Sequence, residues 1–161
     1  MRVTLVKGHL MAKTQDLIGY CGLYCGDCPG YTGTVANLAA DLRKELRRYR
    51  FDKMAEMLAK VPFFKEFKNY DPCYDLLGTM MKLRCKKQCK GSGGPPACKV
   101  RACARSKSLD GCWQCGDFAT CDTLKFLESH HGVAHLKNLR KLKRSGPAAF
   151  VKGKRFWYAP K

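Results

Sequence analysis

Eleven cysteines in 161 residues constrain this chain more than any other feature of its sequence. Cys21, Cys25 and Cys28 form a Cys-x3-Cys-x2-Cys run, and the other eight lie between Cys73 and Cys121. So many thiols in one short chain point to disulfide bonds, a bound metal or redox chemistry. The choice among these three determines what holds the fold together.

Disulfide bonds are the least favoured of the three explanations. Eleven is an odd number, so at least one thiol would be left over. Residues 1–10 contain basic side chains and lack the continuous apolar stretch of a secretory signal. No segment reaches the length and apolarity of a membrane span. We therefore predict a cytoplasmic protein in a reducing compartment, where such cysteines more often hold metal than pair with each other.

The spacing of the cysteines predicts metal binding and leaves the metal open. Cys-x2-Cys pairs supply two ligands to zinc or to an iron–sulfur cluster, and a proline after the ligand, as in Cys28-Pro29, also occurs in bacterial ferredoxins. Two structural zinc sites or two cubane clusters would each use eight cysteines. We favour an iron–sulfur cluster of the 4Fe–4S type, with zinc as the alternative. The predicted metal ligands are Cys21, Cys25, Cys28, Cys103, Cys112, Cys115 and Cys121, and the further candidates are Cys73, Cys85, Cys89 and Cys98.

Other chemistries fit these residues less well. Cys25-Gly-Asp-Cys28 has no preceding strand of the kind a thioredoxin-like pair follows, and no histidine follows a Cys-x2-Cys pair as haem attachment requires. His131 and His135 are four apart, but no glutamate lies between them as in a metalloprotease. We expect them to be two solvated histidines on a helix. No Ser/His/Asp arrangement, pair of acids or phosphate loop stands out, so we assign no catalytic residue and do not expect an enzyme.

A net charge of +18, from 31 Lys and Arg against 13 Asp and Glu, predicts a polyanionic partner. No acidic residue follows Glu128. The partner would be RNA, DNA or an acidic protein, bound by a zinc-stabilised module in the alternative interpretation of the chain, and we expect no membrane partner. A flexible, solvated tail with Phe156 and Trp157 packed on the body explains the C-terminus equally well. The candidate partner-binding residues are Arg140, Lys141, Lys143, Arg144, Lys152, Lys154, Arg155 and Trp157.

Apolar periodicity predicts helices between the two groups of cysteines. The first helix has apolar residues every three to four positions with basic residues between them. Asp52 is expected to cap a second helix, and Pro62 suits the first turn of a third. The methionine and phenylalanine side chains of residues 54–67 are expected to pack in the core. The apolar side of the first helix consists of Leu38, Leu42, Leu46 and Tyr49.

Turn-forming residues divide the rest of the chain. Residues 71–72 (Asp-Pro) predict a turn, and residues 91–96 (GSGGPP) predict a loop. A last helical region is expected to start near Asp122, to be interrupted at Gly132 and to end at residues 146–147 (Gly-Pro).

These patterns predict a mainly α fold with irregular cysteine-rich metal-binding loops, in one small domain. Its predicted divisions are an N-terminal extension (1–16), a cysteine-rich metal-binding helical domain (17–145) and a basic aromatic C-terminal tail (146–161). Met11 is a second candidate for the natural start, beside Met1.

The cysteine motifs also resemble those of a known family. The run GYCGLYCGDCPGY of residues 19–31 resembles the opening signature of the family catalogued as domain of unknown function 3795 (DUF3795), and residues 98–124 are similar to its second half. Its members are small cysteine-rich proteins of bacteria and archaea, frequent in anaerobes, with no established activity. The resemblance implies a cytoplasmic cysteine-based metal site. The family often has cysteine where Ser92 and Pro95 stand here, so one of its sites is expected to be reduced in this chain or completed by Cys73 and Cys85.

Overall fold

Helices, from single turns to the 19-residue α-helix Ala134–Lys152, and the loops between them form almost all of the described chain. The computed structural model describes residues 14–158. Within that range the only β-type pairing is an isolated antiparallel bridge between Ile18 and Tyr24. The predicted class, mainly α with irregular cysteine-rich segments, is confirmed. Most of the predicted N-terminal extension, together with both candidate starts, lies outside the described residues.

The helices are listed here in chain order. The α-helices are α1 (Pro29–Thr32), α2 (Thr34–Arg48), α3 (Phe51–Leu58), α4 (Tyr70–Met80), α5 (Lys99–Ser106), α6 (Asp122–Lys125), α7 (Glu128–His131) and α8 (Ala134–Lys152). The 3-10 turns are Thr14–Leu17, Cys25–Asp27, Pro62–Asn69, Met81–Leu83, Cys89–Gly91, Cys112–Gln114 and Phe118–Thr120. In the described residues no helix is both long enough and apolar enough to cross a membrane.

The small domain divides into two compact units. The first unit contains described residues 14–26 and 87–158, and the second unit contains residues 27–86.

Helices α2 and α3 of the second unit confirm the first two predicted helices, but the side chains are arranged differently from the prediction. The core packing predicted for the methionine and phenylalanine side chains of residues 54–67 is wrong for Met57 and Phe63, which are 62% and 86% exposed, and Leu38 on the apolar side of α2 is 65% exposed as well. The buried positions are instead Ala36 and Ala39 of α2 and Ala55 of α3. Small side chains let helices approach closely, so the helices meet along their alanines and the larger apolar side chains point outward.

Two local predictions in the second unit concern proline. Pro62 does begin a 3-10 turn, as expected. The predicted turn at Asp71-Pro72 is wrong, because both residues lie in the first turn of α4. Proline is compatible with this position because the first N–H groups of a helix have no intrahelical partner.

The first unit has the larger apolar core. Its fully buried members include Ile18 before the first cysteine motif, Leu124 of α6, and Leu139 and Phe150 of α8. Gly22, with φ of +84°, sits against α8 so closely that an added Cβ would lie 2.9 Å from the Leu139 side chain. The first cysteine motif is therefore packed onto α8 as part of the core.

Helix α8 bends where it was predicted to end. Gly132 interrupts the helical region, as expected, because α7 ends there. At Gly146 the backbone takes a φ of +72° and the helix kinks, but it resumes with Pro147 and continues to Lys152. Pro147 suits the first turn of this resumed segment. The predicted end at residues 146–147 is therefore confirmed for the continuous helix, and the further helical segment that follows carries the fully buried Phe150.

The residues after α8 fold back onto its beginning. The side chain of Asn138, fully buried, donates to the Phe156 carbonyl at 2.7 Å and accepts the Phe156 N–H at 3.0 Å. Lys141 Nζ donates to the Lys154 carbonyl at 2.6 Å, and His131 Nδ1 lies 2.7 Å from the Trp157 carbonyl, to which it donates. The buried side-chain amide of Asn138 therefore pairs with both the N–H and the carbonyl of Phe156.

Replacing Asn138 with alanine is expected to release this tail. The substitution leaves the N–H and the carbonyl of Phe156 without partners, which costs about 1–3 kcal/mol. Chymotrypsin should then cleave at Phe156 and Trp157 faster than in the wild type. Asn138→Asp keeps the acceptor for the Phe156 N–H but places a buried carboxylate opposite the Phe156 carbonyl, so it should release the tail at least as much as alanine does. Cleavage as slow as in the wild type for both variants would contradict this role of Asn138.

Candidate metal centre

The cysteines are unevenly divided between the two units. None of the described cysteines is disulfide-bonded. The second unit holds three of the eleven, Cys28, Cys73 and Cys85. The first unit holds the other eight, which are Cys21, Cys25, Cys89, Cys98, Cys103, Cys112, Cys115 and Cys121.

Cys112 is the centre of the first group of thiols. Burial first, and then the proximity of Cys121, Cys103, Cys115 and Cys98, raises the pKa of Cys112 to about 12. These neighbours come from α5 and from the loops on either side of the 3-10 turn that Cys112 begins. The fold thus brings together the four cysteines that were predicted to form the second half of the metal scaffold.

Cys21 is the centre of the second group. Burial first raises its pKa to about 12, with smaller contributions from Cys89, Cys112 and Cys98, while a hydrogen bond from the Leu23 backbone opposes the rise. The two groups are therefore adjacent, since Cys21 and Cys112 influence each other directly.

Cys89 links the opening motif to the second block of cysteines. Its backbone N–H donates to Cys25 Sγ at 3.4 Å, across 64 positions of sequence. Gly19 lies between two of these cysteines, because a Cβ there would be 3.7 Å from both Cys21 Sγ and Cys89 Cβ. The Cys112 N–H also donates to the Tyr20 carbonyl at 2.8 Å. These backbone contacts keep thiols that are remote in sequence within one small region.

Most of these cysteines stand at the start of a helical turn. Cys98 and Cys121 are the N-cap residues of α5 and α6, with extended backbone and no side-chain capping bond. Cys89 and Cys112 are the first residues of 3-10 turns. Backbone N–H groups without intrahelical partners therefore lie close to these cysteines.

Arginines from α5 hold the loop between the cysteines. Arg101, only 6% exposed, donates to the carbonyls of Gly93, Pro95 and Pro96 at 2.6, 2.7 and 2.9 Å. Arg105 donates to Ser92 Oγ at 3.1 Å. The two loop positions where the family often has cysteine are thus bound by arginine in this chain.

Both the chemistry and the placement of these cysteines bear on whether they could hold a metal. The chemistry fits, because each group offers thiols alone and four thiolates suit either zinc or an iron–sulfur cluster. The placement is looser: as the side chains stand, residues 14–158 contain no group of three or more His, Cys, Asp or Glu arranged to hold a metal ion.

The three remaining cysteines belong to the second unit. The Sγ atoms of Cys28 and Cys85 each lie 3.5 Å from where a Cβ on Gly30 would be, and the Cys85 N–H donates to the Gly30 carbonyl at 2.8 Å. Cys73 is exposed on α4. The predicted metal role of these three cysteines stays a prediction.

The two histidines differ from the expectation of a solvated pair. His131 and His135 are 8% and 0% exposed and belong to different helices, α7 and α8. Burial lowers the pKa of both. The nearby Gly132 carbonyl opposes the lowering of the His135 pKa. Neither ring nitrogen of His135 makes a hydrogen bond. The expectation of solvated side chains is therefore wrong.

The predicted partner-binding residues separate into two kinds. Arg140, Lys143 and Arg144 of α8 are exposed, as are Lys152 and Lys154. The others take part in contacts within the unit: Lys141 holds the Lys154 carbonyl, Arg155 lies 4.5 Å from the Tyr24 ring centre, and Trp157 is partly buried beside His131.

Comparison with known proteins gives one match. The model of the family described as a protein of unknown function, DUF3795, matches residues 17–126, which is more than half of the 161-residue chain. No curated protein and no solved structure matches it.

Proposed function

The chain belongs to the DUF3795 family, whose function is unknown, and we propose that it is a cytoplasmic metal-binding protein that carries iron–sulfur clusters on the thiolates of its first unit. Its role would be to transfer electrons or to support a larger redox complex. The observation that carries this proposal is the gathering of eight cysteines, from both ends of the chain's cysteine-rich sequence, into one compact unit.

Two four-thiolate centres account for all eight cysteines. We assign Cys103, Cys112, Cys115 and Cys121 to one centre, because Cys121, Cys103 and Cys115 are the three largest thiol influences on Cys112. We assign Cys21, Cys25, Cys89 and Cys98 to the other, from the influence of Cys89 and Cys98 on Cys21 and from the bond between Cys89 N–H and Cys25 Sγ. Binding would require cysteine side chains to turn about χ1 so that their sulfurs converge.

The environment of these thiols suits a bound metal better than free thiols. Buried thiols close together resist ionisation, and a metal cation reverses that preference because it binds the thiolate. The N–H groups at the starts of the helical turns add positive potential near the cysteines. Hydrogen bonds such as that from the Cys89 N–H to sulfur are among the protein's means of tuning a cluster's reduction potential.

Anaerobic purification followed by iron, sulfide and zinc analysis tests the proposal. We expect iron and acid-labile sulfide in equal amounts, with broad visible absorbance that bleaches on reduction. Two zinc ions in a colourless protein would reject the iron–sulfur clusters and favour the zinc-stabilised binding module. Protein that folds fully with neither metal would reject both centres.

A further inference from the structure

One face of α8 consists of cations. Lys137, Arg140, Lys141 and Arg144 stand at positions i, i+3, i+4 and i+7, which places them along one side of a helix. The buried residues of the same segment, among them His135 and Leu142, follow the same periodicity two positions earlier and lie on the opposite side. The packing of the other face into the core turns this face outward; Arg140 and Arg144 on it are exposed, whereas Lys137 and Lys141 are half-buried against the tail.

Acidic residues do not neutralise this face within its own segment. From residue 129 to the C-terminus the sequence has nine Lys and Arg and no Asp or Glu. In the part of the chain that the structure describes, the four ion pairs all lie elsewhere, and the one nearest in sequence joins Lys125 to Asp122. A partner or counterions must therefore offset the electrostatic repulsion among these cations.

The tail aromatics cannot act as an open stacking platform. Phe156 is held at its backbone by Asn138 and lies between the Nζ atoms of Lys137 and Lys154, which are 5.7 and 5.4 Å from its ring centre. Trp157 packs edge to face on His131, with 4.8 Å between ring centres. Single-stranded nucleic acid is bound chiefly through bases stacked on accessible rings, and these rings are partly covered.

We propose that the cationic face of α8 binds the phosphate backbone of duplex DNA. Residues 134–145, before the kink, extend for about 18 Å, and each four-residue step advances about 6 Å along the helix. The major groove of B-form DNA admits an α-helix, whereas that of A-form RNA is too narrow and deep.

A charge-neutral triple variant tests this face directly. Arg140→Gln, Lys143→Gln and Arg144→Gln together remove three exposed cations from α8 and its edge. The matched control, Lys60→Gln, Lys65→Gln and Lys68→Gln, removes three exposed cations from the second unit. Binding of the full chain, purified anaerobically, to a fluorescent 20-base-pair DNA duplex is measured over a salt series. Helical content and metal content are checked for each protein.

The α8 variant should lower the slope of log affinity against log salt by about two to three and weaken binding on the order of 100-fold at 0.1 M salt. The control should change the slope by less than about one. Equal weakening by the two triple variants would overturn the proposal, because it would indicate diffuse attraction to the net charge. So would tighter binding of duplex RNA or of polyglutamate than of DNA, or no DNA binding by the wild type at low salt.

Discussion

Replacing Cys112 with serine is expected to remove one of the two proposed metal centres and to destabilise the first unit severely. The thiol neighbours of Cys112 come from more than one local motif. They include Cys98, Cys103, Cys115 and Cys121. Serine nearly preserves the size of the side chain, so the loss measures sulfur chemistry rather than packing. Loss of a structural metal belongs to the class of changes that cost more than about 4 kcal/mol of unfolding free energy. Native mass spectrometry and anaerobic urea unfolding would measure the two effects.

Cys73→Ser is the matched control for this experiment. Cys73 is exposed on α4 in the second unit, so the same chemical change there should leave both metal content and urea midpoint as in the wild type. The assignment of Cys112 fails if its serine variant keeps full metal content, or if the two serine variants lose metal to the same degree.

The second large effect is expected from Phe150→Ala. Phe150 is fully buried in the core of the first unit, on the segment of α8 that resumes after the kink at Gly146. Truncating a buried phenylalanine costs about 3–5 kcal/mol, through lost burial and the cavity left behind. We expect a lower urea midpoint with unchanged metal stoichiometry in the protein that remains folded.

Phe126→Ala provides the comparison, because Phe126 belongs to the same unit and is 56% exposed. Its cost should stay below about 1 kcal/mol. If the two alanine variants unfold at the same urea concentration, the segment after the kink is not part of the core and residues 146–161 behave as the separate tail predicted from composition.

The fold class and most helices could be predicted from apolar periodicity alone, whereas the buried side of α2 could not. The period identifies an amphipathic helix but does not identify the surface that it meets. In α2 the leucine side was the natural choice, yet Ala36 and Ala39 are buried and Leu38 is exposed. Similarly, Gly146 and Pro147 are both breakers of a straight helix, and together they allow a bend after which the helix continues.

The candidate site was only partly accessible from the sequence. Spacing predicts the grouping of Cys103, Cys112, Cys115 and Cys121, because a short stretch of chain connects them, and the other three do act on the pKa of Cys112. The proximity of Cys89 to Cys25 depends on how the chain returns after the second unit, which no local pattern encodes. Asn138 was missed as well, although an amide among the apolar positions of α8 is a signal that a buried backbone group needs a partner.

The cysteines that begin helical turns have a consequence for engineering. At the N-caps of α5 and α6, Cys98 and Cys121 occupy the positions where serine, aspartate and asparagine are the strongest capping residues. A bound metal would therefore act as a shared cap for several helical turns at once. Ordinary capping side chains could take over this role, one at each turn. A variant with Asp or Ser at these N-caps and apolar residues at the buried cysteines would be a starting point for a metal-independent scaffold that folds in air.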